Sequence, residues 1–343
     1  MPQSKEVTIY DIAKKLNIAA SSVSRGLQNS PEIGKKTKKK IIETAENMGY
    51  SANLNARSLR QQQTGTIGVI VHELNSNFIA CVLAGIEKVT AEAGYDILIA
   101  HSSENYLKEV ANAKNLFHRR VDGLITSLSV ETFDLDHFKP FAERKVPVIF
   151  FDRVELNKNA TAVVIDNQKC GYTATTHLIE QGCKRIVHVT SSLKRNVYAQ
   201  RYEGYRMALA EHKLKFTQNM LIIDDLTEKA GIESAMKILK MKPLPDGVFI
   251  TNDFVAAFCM RTLQEHGISV PDTIAIVGFN NDAIGKVVVP SLSTINYPGE
   301  DIGEIAARQL INHLKGGNNI HQTDTITVHS ELVVRKSSVR NPK

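Results

Sequence analysis

The sequence is poor in residues that build disulfide-linked or zinc-binding proteins. The chain of 343 residues has no tryptophan and only four cysteines. The cysteines lie far apart and form neither a CxxC pair nor a Cys/His cluster: Cys81, Cys170, Cys183 and Cys259. This spacing favours reduced thiols in a cytosolic protein over a disulfide framework or a zinc site. We therefore expect neither a metal nor a cofactor.

Long hydrophobic runs are also missing. No apolar stretch approaches the roughly 20 residues that a membrane helix requires. The N-terminal segment MPQSKEVTIYDIAKK has no apolar core of the kind that marks a secretory signal. These two absences predict a cytoplasmic protein without a membrane partner.

The common motifs of α/β enzymes are absent as well. The chain contains no GxxxxGK[ST] phosphate loop and no GxGxxG, GxSxG or HExxH pattern. Each of these motifs would place a phosphate cradle, a nucleophile or a zinc ion on a defined turn or helix. We predict that the protein is not an enzyme.

The positive charge, by contrast, is concentrated in one place. The formal net charge is +6. Residues 1–64 hold 11 Lys/Arg and 5 Asp/Glu, whereas the remainder holds 31 of each sign. The whole excess therefore lies on the first fifth of the chain. A small basic module on a neutral body indicates a polyanionic partner, because Lys and Arg gain free energy by displacing counterions from phosphates.

The basic segment reads as three short helices. Thr8 and Asp11 have the spacing of a capping box, and apolar residues then recur at helical spacing. A second helix is predicted over 20–27 and a third over about 36–48, which Gly49 ends. Two short helices with a brief turn, closed by a third, describe a helix-turn-helix domain. Residues 51–64 are polar and resemble a linker.

From Thr66 onward, short Val/Ile-rich runs alternate with helix-length segments. The runs are TIGVIVH, YDILIAH, DGLITS, VPVIFF, TAVVID, RIVHVT, MLIID, DGVFIT and TIAIVGF. Continuous apolar strands separated by helices indicate buried parallel strands in βαβ units. Two such series in tandem predict two doubly wound α/β lobes, with a ligand cleft at the carboxyl ends of the strands.

Specific strings carry a family resemblance over the whole chain. The N-terminal string is VTIYDIAKKLNIAASSVSRGLQNSPEIGKKTKKKIIETAENMGYSANLNARSLR. Later strings follow in a fixed order: TGTIGVIV, VDGLI, RYEGY, TND, IAIVGF, PSLSTI and ELVVR. The ordered set resembles the LacI/GalR (lactose-repressor) family of transcription regulators.

The resemblance implies a domain organisation and a function. It implies a helix-turn-helix domain at 1–50, a hinge helix or linker at 51–64, and an effector-binding and dimerisation core of two periplasmic-binding-protein-like lobes at 65–343. The N-lobe is expected at 65–163 and 295–323, and the C-lobe at 164–294 and 324–340. The implied function is a sequence-specific repressor. It would bind a roughly palindromic double-stranded DNA operator as a homodimer, under the control of a small effector, a sugar or sugar derivative.

The resemblance also assigns DNA contacts within the helix-turn-helix segment. The matching positions are Thr8, Tyr10, Ala20, Ser21, Ser24, Arg25 and Thr37. Arg25 can donate both ends of its guanidinium to a guanine or bind a phosphate. The alternative is that Arg25 is an ordinary solvated charge. Ala19 stands where the family usually has a Ser or Thr cap, which removes a capping bond of roughly 1 kcal/mol.

The hinge match comprises Asn53, Ala56, Arg57 and Leu59. In the family this segment folds into a helix on the operator, and a leucine from each subunit enters the minor groove. Leu59 fits that position, and apolar wedges of this kind unstack base steps and kink the duplex. Ala52 stands where the family often has proline.

Effector contacts are implied at strand ends that border the cleft. The matching positions are Asn75, Asn77, Phe78, Asp152, Arg153, Arg201, Asn252, Asp253 and Asn280. Amides, carboxylates and a guanidinium suit a polyhydroxylated ligand, and an aromatic ring can stack on a sugar face. Structural alternatives stay open: Asp152 and Arg153 can pair with neighbours, Asn252 and Asp253 can cap a helix, and Phe78 can be core. Asn280 replaces the aspartate usual in the family.

Two other functions fit part of the pattern. A solute-binding protein of a sugar transporter would share the two-lobed core, but the absent secretory signal and the basic helix-turn-helix segment argue against it. An enzyme on a doubly wound fold would need a catalytic motif, and none is present.

Overall fold

The computed structural model describes residues 7–27, 29–50, 63–155, 161–317 and 325–340. The chain divides into two compact units, Met1–Thr64 and Gly65–Lys343. Among the described residues, no helix is long and apolar enough to cross a membrane.

The N-terminal unit contains the three predicted helices, α1 Ile9–Leu16, α2 Ala20–Leu27 and α3 Lys35–Asn47. Each helix contributes small or β-branched residues to one core, made of Ile12, Ala13, Val23, Ile41 and Ala45. The backbone NH and hydroxyl of Thr8 donate to Asp11, at 2.8 and 2.6 Å, and so anchor the start of α1. A side chain at Gly26 would overlap Ile41, so glycine allows α2 to lie close against α3.

The second unit is built from strands and helices in alternation. The strands are β1 Thr66–Val71, β2 Asp96–His101, β3 Gly123–Thr126, β4 Val148–Phe151, β5 Thr161–Ile165, β6 Ile186–Thr190, β7 Leu221–Ile223, β8 Gly247–Ile250, β9 Ala275–Asn280, β10 Ser293–Asn296, β11 Thr325–Val328 and β12 Leu332–Val333. The helices are α4 Asn77–Glu92, α5 Tyr106–His118, α6 Lys139–Glu143, α7 Asn167–Glu180, α8 Asn196–Glu211, α9 Glu228–Leu239, α10 Asp253–Glu265, α11 Ile284–Val287 and α12 Gly299–Leu314. The nine predicted Val/Ile runs coincide with β1 to β9.

The strands form two six-stranded sheets, one in each lobe. The first has the order β11-β5-β4-β3-β1-β2 and is parallel throughout. The second has the order β12-β10-β9-β8-β6-β7 and is parallel except for the short strand β12. Parallel sheets covered by helices confirm the predicted doubly wound α/β lobes.

The lobe boundaries differ from those expected. The chain crosses between the sheets after β5, β10 and β11, whereas the boundaries expected at 163/164 and 294/295 fall inside β5 and β10. Segment 324–340 was assigned to the C-lobe, but β11 within it pairs with β5 in the first sheet. A run of Val and Ile reveals a strand, but it does not reveal which sheet the strand joins.

Glycines bring the helices of each lobe close together. A side chain at Gly85 of α4 or Gly303 of α12 would overlap backbone atoms of the facing helix. In the second lobe, Gly171 of α7 and Gly204 of α8 face each other's helix in the same way. The contact between α7 and α8 fixes the position of α8 along α7, and α8 is the helix that carries Arg201.

We predict that Gly204→Ala destabilises the protein by about 1–3 kcal/mol, because the added carbon would overlap the Gln168 carbonyl and backbone cannot yield as a side chain can. Gly285→Ala is the control, because the carbon added there would lie 3.4 Å from its nearest neighbour, the Leu292 Cβ, and would not overlap it. Urea unfolding of the full chain measures both variants. Equal stability of the two would contradict this account of the α7–α8 contact.

Candidate nucleic-acid interface and ligand cleft

The N-terminal unit exposes most of the residues assigned to DNA contact. Thr8, Tyr10, Ser21, Arg25 and Thr37 are exposed, while Ala20 and Ser24 are half-buried. Tyr10 has 72% of its surface exposed, which is unusual for a large ring in a small domain. Ser21 and Arg25 lie one turn apart on the outer face of α2. If this helix enters a DNA major groove, both side chains can contact the DNA.

Arg25 has an acidic neighbour that the sequence analysis missed. Its Nη1 donates to Glu32 Oε2 at 2.6 Å, and both side chains are more than half exposed. An exposed ion pair of this kind contributes at most about 1 kcal/mol. Arg25 can therefore leave Glu32 for a stronger acceptor such as a phosphate or a guanine. Nothing in the sequence pattern marks a residue seven positions downstream, beyond a turn, as its partner.

The hinge residues Asn53, Ala56, Arg57 and Leu59 lie outside the described residues, so their roles stay predictions. The lysine-rich start of α3, by contrast, lies within the described residues. There the ammonium of Lys38 donates to the carbonyl and side-chain oxygens of Asn29, at 3.1 and 2.8 Å. Lys38 therefore closes the turn before α3, while Lys35, Lys36, Lys39 and Lys40 are exposed.

In the second unit, Phe78 and Asp152 meet at a residue that the sequence analysis did not select, Tyr297. The rings of Phe78 and Tyr297 stack with centroids 4.0 Å apart. The Tyr297 hydroxyl donates to Asp152 Oδ1 at 2.6 Å. Burial raises the pKa of Asp152, although Arg153 and the Tyr297 hydroxyl act in the opposite direction. Because Tyr297 follows β10, this cluster lies where the chain crosses from the second lobe to the first.

Arg201 lies beside that cluster on α8. Its guanidinium carbon is 3.5 Å from the centre of the Phe279 ring. Its Nε donates to Asn167 Oδ1 at 2.8 Å and its Nη1 to the Thr251 carbonyl at 3.3 Å. Arg201 is almost fully buried, and its hydrogen-bond partners within the described ranges are all neutral oxygens. A cation held this way can donate to a polar ligand without first breaking an ion pair.

Arg153 is held differently. Its Nη1 lies 2.6 Å from both carboxylate oxygens of Glu104, and its Nη2 donates to the Tyr198 hydroxyl of the other lobe at 3.0 Å. Pairing with a neighbour was the structural alternative for Arg153, and the structure shows it with Glu104 as the partner. Arg153 therefore joins the lobes whether or not it touches a ligand.

Asn77 also reaches across the cleft. Its side-chain amide donates to Asp282 Oδ1, after β9, at 2.9 Å. Asn280 lies beside the same carboxylate, with its amide 3.4 Å from Asp282 Oδ2. Asn75 is exposed, and its backbone NH donates to Glu73 at 3.1 Å. Asn77 and Asn280 thus share one acidic partner, Asp282.

Asn252 and Asp253 have structural roles. Asn252 caps α10, because its side-chain oxygen accepts from the Val255 NH at 3.1 Å. Asp253 is fully buried and accepts from the Thr294 hydroxyl at 2.7 Å and from the Asp282 NH at 2.8 Å. Burial raises the pKa of Asp253 to about 7. This carboxyl ties β10 to the loop that carries Asp282.

Three buried hydroxyls at strand ends lack hydrogen-bond partners among the described residues: Thr126, Thr190 and Thr251. Thr126 ends β3 in the first lobe, Thr190 ends β6 in the second, and Thr251 follows β8. A buried hydroxyl without a partner costs roughly 1–3 kcal/mol, so such groups mark positions where a polar ligand or water supplies the bond.

Comparison with known proteins places both units in known families of domains. Residues 8–53 match the model described as bacterial regulatory proteins, lacI family, and residues 175–338 match the model described as a periplasmic binding protein-like domain. Catabolite control protein A of Priestia megaterium is 31% identical over 309 residues, which cover 90% of this chain and 92% of that protein.

Two further proteins are similar over nearly the whole chain. The HTH-type transcriptional repressor PurR of Photobacterium profundum is 28% identical, over 96% of this chain and 98% of that protein. The crystal structure of the lac repressor dimer bound to operator and the anti-inducer ONPF aligns with a TM-score of 0.89, over 98% of this chain and 100% of that chain, at 22% identity. The similarity to the lac repressor structure, at this low sequence identity, is a similarity of fold alone.

We predict that Asp253 makes folding pH-dependent. The unfolded chain loses this proton near pH 4, whereas the folded protein keeps it to about pH 7. The folded state therefore binds more protons between these values, and the free energy of unfolding should fall as pH rises from 4 to 7.

Asp253→Asn should remove the decrease in the free energy of unfolding that Asp253 contributes between pH 4 and 7. Urea unfolding at pH 5, 6, 7 and 8 would compare the variant with the wild type. Asp272→Asn, which changes an exposed carboxyl, is the control and should follow the wild type. Parallel profiles for Asp253→Asn and the wild type would show that Asp253 is ionised throughout.

Proposed function

Because this chain belongs to the lacI family of bacterial regulatory proteins, we propose that it is a transcription repressor. It binds a roughly palindromic DNA operator as a homodimer, and a small effector, a sugar or sugar derivative, binds between its lobes and controls it. The observation that carries this proposal is the concentration of the whole positive excess on a helix-turn-helix unit with exposed polar residues along α2.

The DNA contacts divide into two kinds. Ala20, Ser21, Ser24 and Arg25 lie on α2, and we assign them to base edges in the major groove. Thr8, Tyr10 and Thr37 lie on the flanking helix starts and position the unit on phosphates. In the hinge, Asn53, Ala56, Arg57 and Leu59 keep the roles that the resemblance implies, with Leu59 as the minor-groove wedge.

An exposed apolar face on the second lobe supports self-association. Helices α9 and α10 are in contact, and Ile232 and Met236 on α9 and Phe254 on α10 each have more than a third of their surface exposed. Phe254 packs against the half-buried Phe258, with ring centroids 4.9 Å apart. A contiguous apolar patch on a protein surface marks an interaction site. A two-fold dimer through this face presents two recognition helices, which a palindromic operator requires.

The cleft suits a polyhydroxylated effector. Asp152 and Arg201 supply an acceptor and a donor fork, the stacked rings of Phe78 and Tyr297 supply an apolar surface, and the unpartnered threonine hydroxyls supply further bonds. A solute-binding protein of a transporter would share this cleft. The basic helix-turn-helix unit favours the repressor.

Ligand and DNA are coupled through the lobes. The hydrogen bonds from Asn77 to Asp282 and from Arg153 to Tyr198 join residues of different lobes, so a ligand that changes the angle between the lobes must remake or break them. Coupling of this kind is reciprocal: if effector changes operator affinity by some factor, operator changes effector affinity by the same factor.

The DNA proposal is tested on the full chain. Selection from a random duplex library should return a palindromic site, and Arg25→Ala should weaken binding to it by about 1–3 kcal/mol, because a bidentate base contact is lost. Glu32→Gln should strengthen binding, because it releases Arg25 and removes a negative charge near the phosphates. Fluorescence anisotropy on the selected and scrambled duplexes measures both variants. Unchanged affinity in Arg25→Ala would exclude Arg25 from the interface.

The proposed dimer face has its own test. Phe254→Glu places a charge in the apolar patch and should shift the chain from dimer to monomer in sedimentation equilibrium, with a loss of operator affinity. Phe133→Glu is the control, because Phe133 is an exposed aromatic of the first lobe, 75% accessible. A Phe254→Glu protein that remains dimeric would move the interface to another surface.

A further inference from the structure

We propose that the ligand bound between the lobes carries an anionic group and that Arg195 binds it. The inference rests on the effector cleft proposed above, and it narrows the effector to a phosphorylated or acidic sugar. It is carried by the position, the burial and the incomplete hydrogen bonding of Arg195.

Arg195 faces the cleft from the start of α8. It is the N-cap of that helix, which also carries Tyr198 and Arg201. Arg195 Nη2 donates to the Thr132 carbonyl of the first lobe at 2.5 Å. Its guanidinium therefore contacts the first lobe, although Arg195 belongs to the second.

An arginine at this position is unfavourable for the helix itself. The start of a 16-residue helix carries a partial positive charge, which favours anions and disfavours cations. Arg195 supplies no side-chain cap, the first turn of α8 contains no acid, and the preceding residue is Lys194. The local sequence thus concentrates positive charge where the fold gains nothing from it, and a bound anion would turn this arrangement into a favourable one.

Among the described residues, no carboxylate is hydrogen-bonded to Arg195. The side chain is only 6% exposed, and its Nε has no hydrogen-bond partner among the residues that the structure describes. Burial lowers the pKa of Arg195, although the carboxylates of Glu155, Glu109 and Glu104 act in the opposite direction.

Of the three carboxylates, Glu155 is exposed and the other two already have partners. Glu104 binds Arg153, and Glu109 accepts from the Ser129 NH, the Thr132 hydroxyl and His137. A buried cation without a carboxylate partner is costly, and a ligand anion would supply the missing charge.

The rest of the cleft defines the body of the ligand. A planar guanidinium binds a phosphate or a carboxylate through paired hydrogen bonds, and both anions have this chemistry. The unpartnered hydroxyls of Thr126, Thr190 and Thr251 suit the hydroxyls of a sugar. For the ligand to enter, the lobes must part and the bond from Arg195 to Thr132 must break, so the anion would replace the Thr132 carbonyl as acceptor.

The test compares matched neutral and anionic probes on the full chain. The probes are glucose, glucose 6-phosphate and gluconate, ribose and ribose 5-phosphate, and inorganic phosphate against chloride at equal ionic strength. Thermal unfolding should show a larger stabilisation by an anionic member than by its neutral counterpart, because ligands that bind only the folded state raise its stability. The glucose 6-phosphate and gluconate arms distinguish a phosphate from a carboxylate.

Variants then assign the effect to Arg195. Arg195→Gln should weaken binding of the anionic probe, inorganic phosphate included, by at least about tenfold. Lys194→Gln removes the adjacent exposed charge and should bind as the wild type does. Arg195→Lys keeps the charge without the fork and should keep the preference for anions at reduced affinity. It serves as the second variant if Arg195→Gln does not fold.

The outcomes separate this inference from the repressor proposal. A neutral sugar that binds wild type and Arg195→Gln equally would overturn the anion inference and leave the repressor proposal intact. The same conclusion holds if no probe, phosphate included, distinguishes wild type from both Arg195 variants. Failure to select any duplex in the DNA experiment would instead overturn the repressor proposal, whatever the probes show.

Discussion

The arrangement of the second unit depends on the contacts of one residue, Tyr297, at a crossing between the lobes. Its ring stacks on Phe78 of the first lobe and meets the ring of Phe279 of the second edge-on, with centroids 5.7 Å apart. Its hydroxyl binds Asp152. Aromatic contacts of this geometry add to the free energy of burial itself. Because one side chain touches both lobes and a cleft carboxylate, a ligand that displaces Asp152 or Phe78 also changes the packing of the crossing.

The cost of buried charge explains how the remaining polar residues divide between structure and function. Asp253 and Arg153 are buried with their hydrogen bonds made inside the protein, and they hold loops and lobes in place. Arg201 and Arg195 are buried, and in the part of the chain that the structure describes their acceptors are all neutral. Buried charges without ionic partners reduce stability, and proteins retain such groups chiefly where function requires them. The unpaired members of the cleft are therefore the better candidates for ligand contact.

Patterns local in sequence predicted most of the fold, whereas the residues of the candidate site came from the family resemblance. The nine Val/Ile runs coincide with β1 to β9, and the helix-turn-helix follows from a capping box and helical periodicity. The strands β10 and β12 and the placement of β11 did not follow, because β10 (STIN) contains a single Val or Ile, β12 has only two residues, and pairing is a long-range property. Phe78, Asp152 and Arg201 were selected through the resemblance. Tyr297 was missed because it lies 145 residues from its partner Asp152, and Arg195 because a cation before a helix looks like an ordinary surface charge.

The two proposed sites use cations under opposite constraints. Arg25 is exposed and paired with Glu32, so it reaches DNA at little cost and can exchange acceptors as the protein moves along a duplex. Arg195 and Arg201 are buried, so their charges carry a standing cost that one matched ligand can relieve. An exposed cation that exchanges acceptors suits DNA, a repeating polyanion along which the protein searches for its site. A buried cation without an ionic partner suits one small ligand that the protein must distinguish from others. The burial of each arginine therefore indicates the kind of anion it binds.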